Sequence, residues 1–162
     1  MWKTGAYLFL TVWLTACGGG GDAGTGNAAI GAGSGSAKYV GSWAACTPTG
    51  DPLVQGAKLV FTFASTGSSS ASYTLVATGH TAADCSSSAL STITESGTVT
   101  IDGTALVEGK LVEKITTTDT AGVVEKDIVF FSTNQFQLGN DAPVDAQGYP
   151  TTLSAQFVFT RQ

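Results

Sequence analysis

One histidine, twelve acidic residues and scattered serines are what this 162-residue chain offers for chemistry. A Ser-His-Asp hydrolase would need His80 as its base, with Asp84 nearby to orient the ring. No G-x-S-x-G elbow is present, and the serines gather in polar runs such as Ser86-Ser87-Ser88. His80 therefore reads as a solvated loop residue. Glu113, Glu125 and Asp127 could meet across neighbouring strands for acid–base work. Lys110, Lys114 and Lys126 are interleaved with them, so the expectation is ion pairing on an outer face. Asp141 and Asp145 with backbone carbonyls could hold calcium, yet no EF-hand or nonapeptide spacing surrounds them, and they read as solvated turn residues. Gly19, Gly21 and Gly24 fit G-x-G-x-x-G, but that loop needs a strand before it and a helix after it. Here a hydrophobic run and a glycine-rich coil flank it. These residues point to no enzyme, no cofactor and no resident metal.

The cysteines carry more information. Residues 1–16, MWKTGAYLFLTVWLTA, have a charged start, an apolar middle and a small residue at the end, which are the parts of a secretory signal peptide. The apolar run falls short of the roughly 18 to 20 residues a membrane-spanning helix needs. Leu14-Thr15-Ala16-Cys17 closes the segment and resembles the lipobox of bacterial lipoproteins. The resemblance implies cleavage before Cys17 and a diacylglyceryl group on its thiol. One chain binds a membrane only marginally, whereas the two or three of that family anchor it stably. The position after the cysteine is Gly18 and not aspartate. By the family's sorting pattern this implies the outer membrane of a bacterial envelope, with the domain facing periplasm or cell surface.

With Cys17 lipidated, Cys46 and Cys85 have only each other, and the exported chain matures in an oxidising compartment. A metal site would need more ligands than two cysteines and His80. The expected bridge closes a loop that contributes roughly 4 kcal/mol in the chain-entropy account. Between Cys17 and Ser36 the chain is Gly/Ser-rich, a tether of root-mean-square span roughly 25 Å. Residues 37–162 then form one domain. The chain carries seven basic against twelve acidic groups, and losing residues 1–16 removes only Lys3. An acidic chain without a basic cluster is not expected to bind nucleic acid.

Eight segments rich in Val, Ile, Thr, Phe and Tyr read as strands: 38–44, 57–64, 72–78, 91–102, 105–118, 123–132, 135–138 and 152–161. Leu59, Phe61 and Phe63 share one face, as do Leu153, Ala155, Phe157 and Phe159. Asp102-Gly103 suits a tight hairpin, Thr120-Ala121-Gly122 a longer one, and Gly67 to Ser70 a polar tip. Only Gly139 to Thr151 is a long excursion. Sequential hairpins predict an all-β, antiparallel up-and-down barrel of about eight strands, which closes its edges on itself. The alternative is a β-sandwich.

Gly41-Ser42-Trp43 at the start of the domain resembles the Gly-x-Trp signature of lipocalins and related calycins. In that superfamily the tryptophan plugs the closed end of the barrel under a basic residue from the last strand. The resemblance assigns these roles to Trp43 and Arg161. It covers the two ends of the domain, and the middle lipocalin motif around Thr-Asp-Tyr is absent. The expected function is a lipid-anchored envelope protein presenting a small β domain to a protein, as an inhibitor, adhesin or assembly factor. It is similar in layout to the small disulfide-bonded barrel lipoproteins that inhibit lysozyme. Lipocalin-like binding of a small apolar ligand is the alternative. Asp141, Asp145 and Tyr149 form the candidate interaction loop, because loops on a rigid barrel often carry function.

Overall fold

The computed structural model describes residues 35–162. The signal segment, Cys17 and the tether up to residue 34 lie outside the described residues. Eight strands follow one another around a closed antiparallel barrel, each pairing with its sequence neighbour. They are β1 (Gly41–Pro48), β2 (Gly56–Gly67), β3 (Ser70–His80), β4 (Ala89–Val107), β5 (Lys110–Asp119), β6 (Val124–Phe131), β7 (Gln135–Gly139) and β8 (Leu153–Arg161). The meander expected from the turn chemistry is the observed topology, and the sandwich alternative is excluded by closure. A short 3-10 turn, Gly35–Lys38, precedes β1. Ser36 in it is buried and bonded to Ser65 and Gly67.

Closure rests on a thin seam. β1 and β8 are paired at Trp43 with Arg161 and at Ala44 with Thr160, and the Gln162 amide donates to the Ser42 carbonyl at 2.9 Å. At this seam the Arg161 guanidinium lies 4.5 Å from the centre of the Trp43 ring. Its Nη2 also donates to the carbonyls of Lys38 and Val40, binding the entering chain to the last strand. Trp43 is 2% exposed, and its Nε1 donates to the Tyr39 carbonyl at 2.6 Å. The indole thus has its polar atom satisfied and one face covered by a cation, which lets so large a ring be fully buried.

Alternation fills the barrel below the seam. Phe61 and Phe63 of β2 stack at 5.3 Å, Phe136 and Phe159 at 4.6 Å, and Trp43 meets Phe136 edge-on at 5.2 Å. Tyr39, Tyr73 and Phe131 complete this layer. Such aromatic pairs contribute roughly 0.5 to 1.5 kcal/mol each beyond the area they bury. Phe130 and Leu153 depart from the expected single core. They belong to a second cluster with Val107, Val112, Ile128 and Tyr149, outside the barrel wall and beneath the long loop.

Asp102-Gly103 is not the hairpin turn. β4 runs on through it with a register shift between Ile101 and Gly103, and the chain reverses at Glu108-Gly109 instead. Both of those residues have left-handed backbones, with φ of 53° and 76°, as a two-residue hairpin requires. An Asp-Gly pair serves a bulge as well as a turn, because the glycine takes a positive φ in both. The segment expected as one strand, 105–118, is therefore the end of β4, a two-residue turn and nearly all of β5.

Replacing Trp43 by alanine is expected to cost roughly 3 to 5 kcal/mol in urea denaturation, as a large-to-small core change. Arg161→Ala should cost less, about 1 to 2 kcal/mol, since the stack is lost while the ring keeps its core contacts.

Candidate functional site

The inner wall turns from aromatic to acidic along its length. At the closed end, Glu113 of β5 accepts the Tyr39 hydroxyl at 2.9 Å and pairs with Lys38 at 2.6 Å. Burial, with the Glu113 charge beside it, pushes the Tyr39 hydroxyl well above the usual tyrosine range. In mid-barrel, Asp127 of β6 sits opposite Ile115 and is 1% exposed. Its Oδ1 accepts the amides of Ile128 and Gly139 at 2.7 and 2.9 Å. Gly139 must be glycine for this, because a Cβ there would lie 2.7 Å from that oxygen and 2.5 Å from the Pro150 ring. Asp127 Oδ2 has no partner. Further along, Thr117 and Glu125 are register partners on β5 and β6, and Glu95 of β4 accepts the Tyr73 hydroxyl at 2.7 Å.

The expectation that Glu113, Glu125 and Asp127 face outward and pair with Lys110, Lys114 and Lys126 is overturned. Register sets the three carboxylates on the inner face with Ile115 and Val129, and the lysines on the outer one. Lys114 pairs instead with Asp145 of the long loop at 2.7 Å, and Lys126 donates to the Gln147 carbonyl. Desolvation raises Asp127 to about 7 against the two amide bonds that favour its charged form. Glu125 is also raised to about 7, by desolvation first and then by repulsion from Glu95, Asp141 and Asp119.

The long loop, 140–152, lies as a strap on the outer wall. Tyr149 is buried beneath it, its hydroxyl donating to Asp102 at 2.8 Å, with Lys114 and Lys126 at 4.5 and 4.9 Å from its ring. Asp145 accepts the amides of Gln147 and Tyr149, which folds the strap's turn. Two of the three loop residues singled out from the sequence, Asp145 and Tyr149, thus hold the strap to the wall. Asp141 is exposed. The bulge at Asp102 and the strap explain one another, since the displaced carboxylate is Tyr149's partner.

At the opposite rim from the Trp43 seam, Cys46 of β1 and Cys85 of the β3–β4 loop form a disulfide with Cα atoms 6.1 Å apart. The bridge draws that loop across the end of β2. His80, expected in solvent, is buried under it, with Nδ1 2.7 Å from the Ser87 carbonyl. Asp84 is bonded to Ser86 and not to the imidazole, so the two do not act as a dyad.

β4 outruns its neighbour at this rim. Its pairing with β3 extends to Ala89, whereas β5 joins it only from Gly97, so one edge of Ala89–Glu95 has no strand partner among the described residues. Leu90 and Ile93 are exposed there, as is Leu53 on the adjoining β1–β2 loop. On the outer wall, a depression of about 490 Å³ is lined by hydroxyls including Thr62, Ser72, Thr74, Thr98 and Thr118. Glu95 and Thr117 were not singled out from the sequence. Their signal is parity: Glu95 is in step with Gly97, Val99 and Ile101, and Thr117 with Ile115.

No protein-family model matches the chain, and no curated protein and no solved structure matches it.

A carboxyl with a higher pKa in the folded chain than in the unfolded one holds its proton more tightly when folded. Stability from Asp127 and Glu125 is thus complete below their unfolded values near 4 and is lost as pH rises through about 7. Thermal unfolding should give a Tm roughly 5 °C or more lower at pH 8 than at pH 5; Asp127→Asn should remove about half of that slope, and the double variant with Glu125→Gln most of it.

Proposed function

We propose that this chain is a lipid-anchored bacterial envelope protein that presents its barrel rim to a partner protein, and that the partner adds a strand to the free edge of β4. The observation that carries the reading is the unpaired edge of Ala89–Glu95. An exposed edge is a template for another chain, and natural proteins normally blunt it with proline, lysine or a cover. Ala89-Leu90-Ser91-Thr92-Ile93-Thr94 contains neither residue. Leu90 and Ile93, both exposed, supply apolar contacts beside the main-chain bonds. The Cys46–Cys85 bridge limits the motion of the loop next to this edge. The filled aromatic layer at the other end argues for a solid scaffold over a deep lipocalin-like cavity.

The lipid anchor is supported by Leu14-Thr15-Ala16-Cys17 and the tether behind it. The outer membrane is the destination supported by Gly18. The stack of Arg161 on Trp43 supports kinship of the barrel with calycins. A non-catalytic role is supported by His80, the chain's one histidine, whose Nδ1 is bonded within the rim loop at Ser87 and which has no carboxylate partner in Asp84.

A photo-reactive residue at position 92, in cells of the native host, should give one discrete protein adduct, while position 62 on the outer wall gives none. The adduct should sediment with the membranes and move to the soluble fraction or the unprocessed precursor with Cys17→Ser. Absence of an adduct at 92, with a small apolar molecule carried through native mass spectrometry, would replace this reading by the ligand-binding one.

A further inference from the structure

Three groups on the inner wall toward the open rim have hydrogen-bonding capacity that the fold leaves unused. Thr117 is 2% exposed and its Oγ1 has no partner. It stands between Val99 and Glu125, its register partners on either side. Glu125 is half-buried, and the two ion pairs among the described residues, Lys38–Glu113 and Lys114–Asp145, do not include it. Glu95 gives one oxygen to Tyr73, with Oε2 left open. Like charges gathered beside an unpartnered buried hydroxyl destabilise the free protein, and proteins keep such arrangements where a ligand completes them.

What is missing is a cationic donor. Lys58, Lys110, Lys114 and Lys126 lie on the outer face by register, and Lys38 and Arg161 sit at the closed end. Among the described residues no three His, Cys, Asp or Glu side chains are close enough to share a metal ion. A broader group with several N–H donors can bridge carboxylates that a single ion cannot. Leu75, opposite Glu95, and Ile93, two residues before it, provide an apolar flank leading to the rim.

We propose that Glu95, Glu125 and Thr117 form a subsite for an organic cation, an ammonium or guanidinium group on a short apolar stem. The site lies on the inner wall and shares Glu95 and Ile93 with the β4 edge, but the alkyl cations of its test contain no partner strand and so read it apart from strand addition. Such a cation comes either from a free alkylamine or from a lysine or arginine side chain of a protein.

The test is an NMR titration of the purified full chain, following the amides of Thr117 and Glu125, with butylammonium, butylguanidinium and the peptide Gly-Thr-Arg-Thr-Gly. Butanol and butyrate are the controls. The cations are expected to give saturable shifts that the controls do not. Tighter binding of the peptide than of the amines assigns the site to a protein side chain, and the reverse order to a free amine. Glu125→Gln should weaken binding about tenfold or more and Thr117→Val about threefold, as charged and neutral hydrogen bonds are lost. At pH 8 both variants should unfold at a higher temperature than the parent, because Glu125→Gln removes a half-buried charge repelled by Glu95 and Thr117→Val removes a buried hydroxyl without a partner. A merely structural role predicts lower stability. Shifts of equal size with butanol, no saturable shift with any cation, or variants that are destabilised and bind unchanged would each overturn the proposal.

Discussion

The stack of Arg161 on Trp43 is the contact on which the barrel depends. An eight-stranded meander has two free edges until its first and last strands meet, and here they meet over two register pairs. Main-chain bonds over so short a seam are few. The rest of the closure comes from side chains: the buried indole, the guanidinium over it, and that guanidinium's bonds to Lys38 and Val40. Because Arg161 holds the chain on both sides of the seam, the aromatic layer beneath it can exclude water. The 4.6 Å stack of Phe136 on Phe159 joins the last two strands in that same layer.

A barrel closed firmly at one end can tolerate conflict at the other. Packed rings at the Trp43 end offset the cost of placing Asp127, Glu125 and Glu95 on the inner wall. Asp127 survives burial because two amides aim at one of its oxygens and because it holds its proton up to about pH 7. The open rim is held differently, by a disulfide and by a loop folded over His80. Strands of unequal length leave the β4 edge open there. Scaffold and candidate site are thus segregated along the barrel axis, and the site concentrates where local rules are violated.

Much of the scaffold was legible in the sequence, for physical reasons that can be named. Leu59, Phe61 and Phe63 alternate cleanly because β2 has one wet and one dry face. The cysteine pair was legible because Cys46 and Cys85 are the only cysteines of the chain beyond Cys17. Asp102-Gly103 misled because a bulge and a hairpin use the same backbone freedom, and only the strap carrying Tyr149 decides between them. The carboxylates misled because interleaved lysines suggest an outer face. Parity relative to Ile115 and Val129 assigns them inward, and parity is uninformative until register is known. The free edge of β4 was not legible at all, since it follows from the difference between two pairing lengths. His80 was misplaced for a related reason: the loop that covers it is shaped by the disulfide and not by its own residues.

Hydrogen exchange at the Gln162 amide tests the closure most directly. This amide follows the last strand and bonds to Ser42 across the seam at 2.9 Å. In a closed barrel it should exchange far more slowly than a free terminal amide and lose that protection in Arg161→Ala, while Phe61 and Val112 stay protected. Exchange at the unprotected rate in the parent protein would mean that β1 and β8 do not meet, and the account of a barrel closed by Trp43 and Arg161 would be wrong.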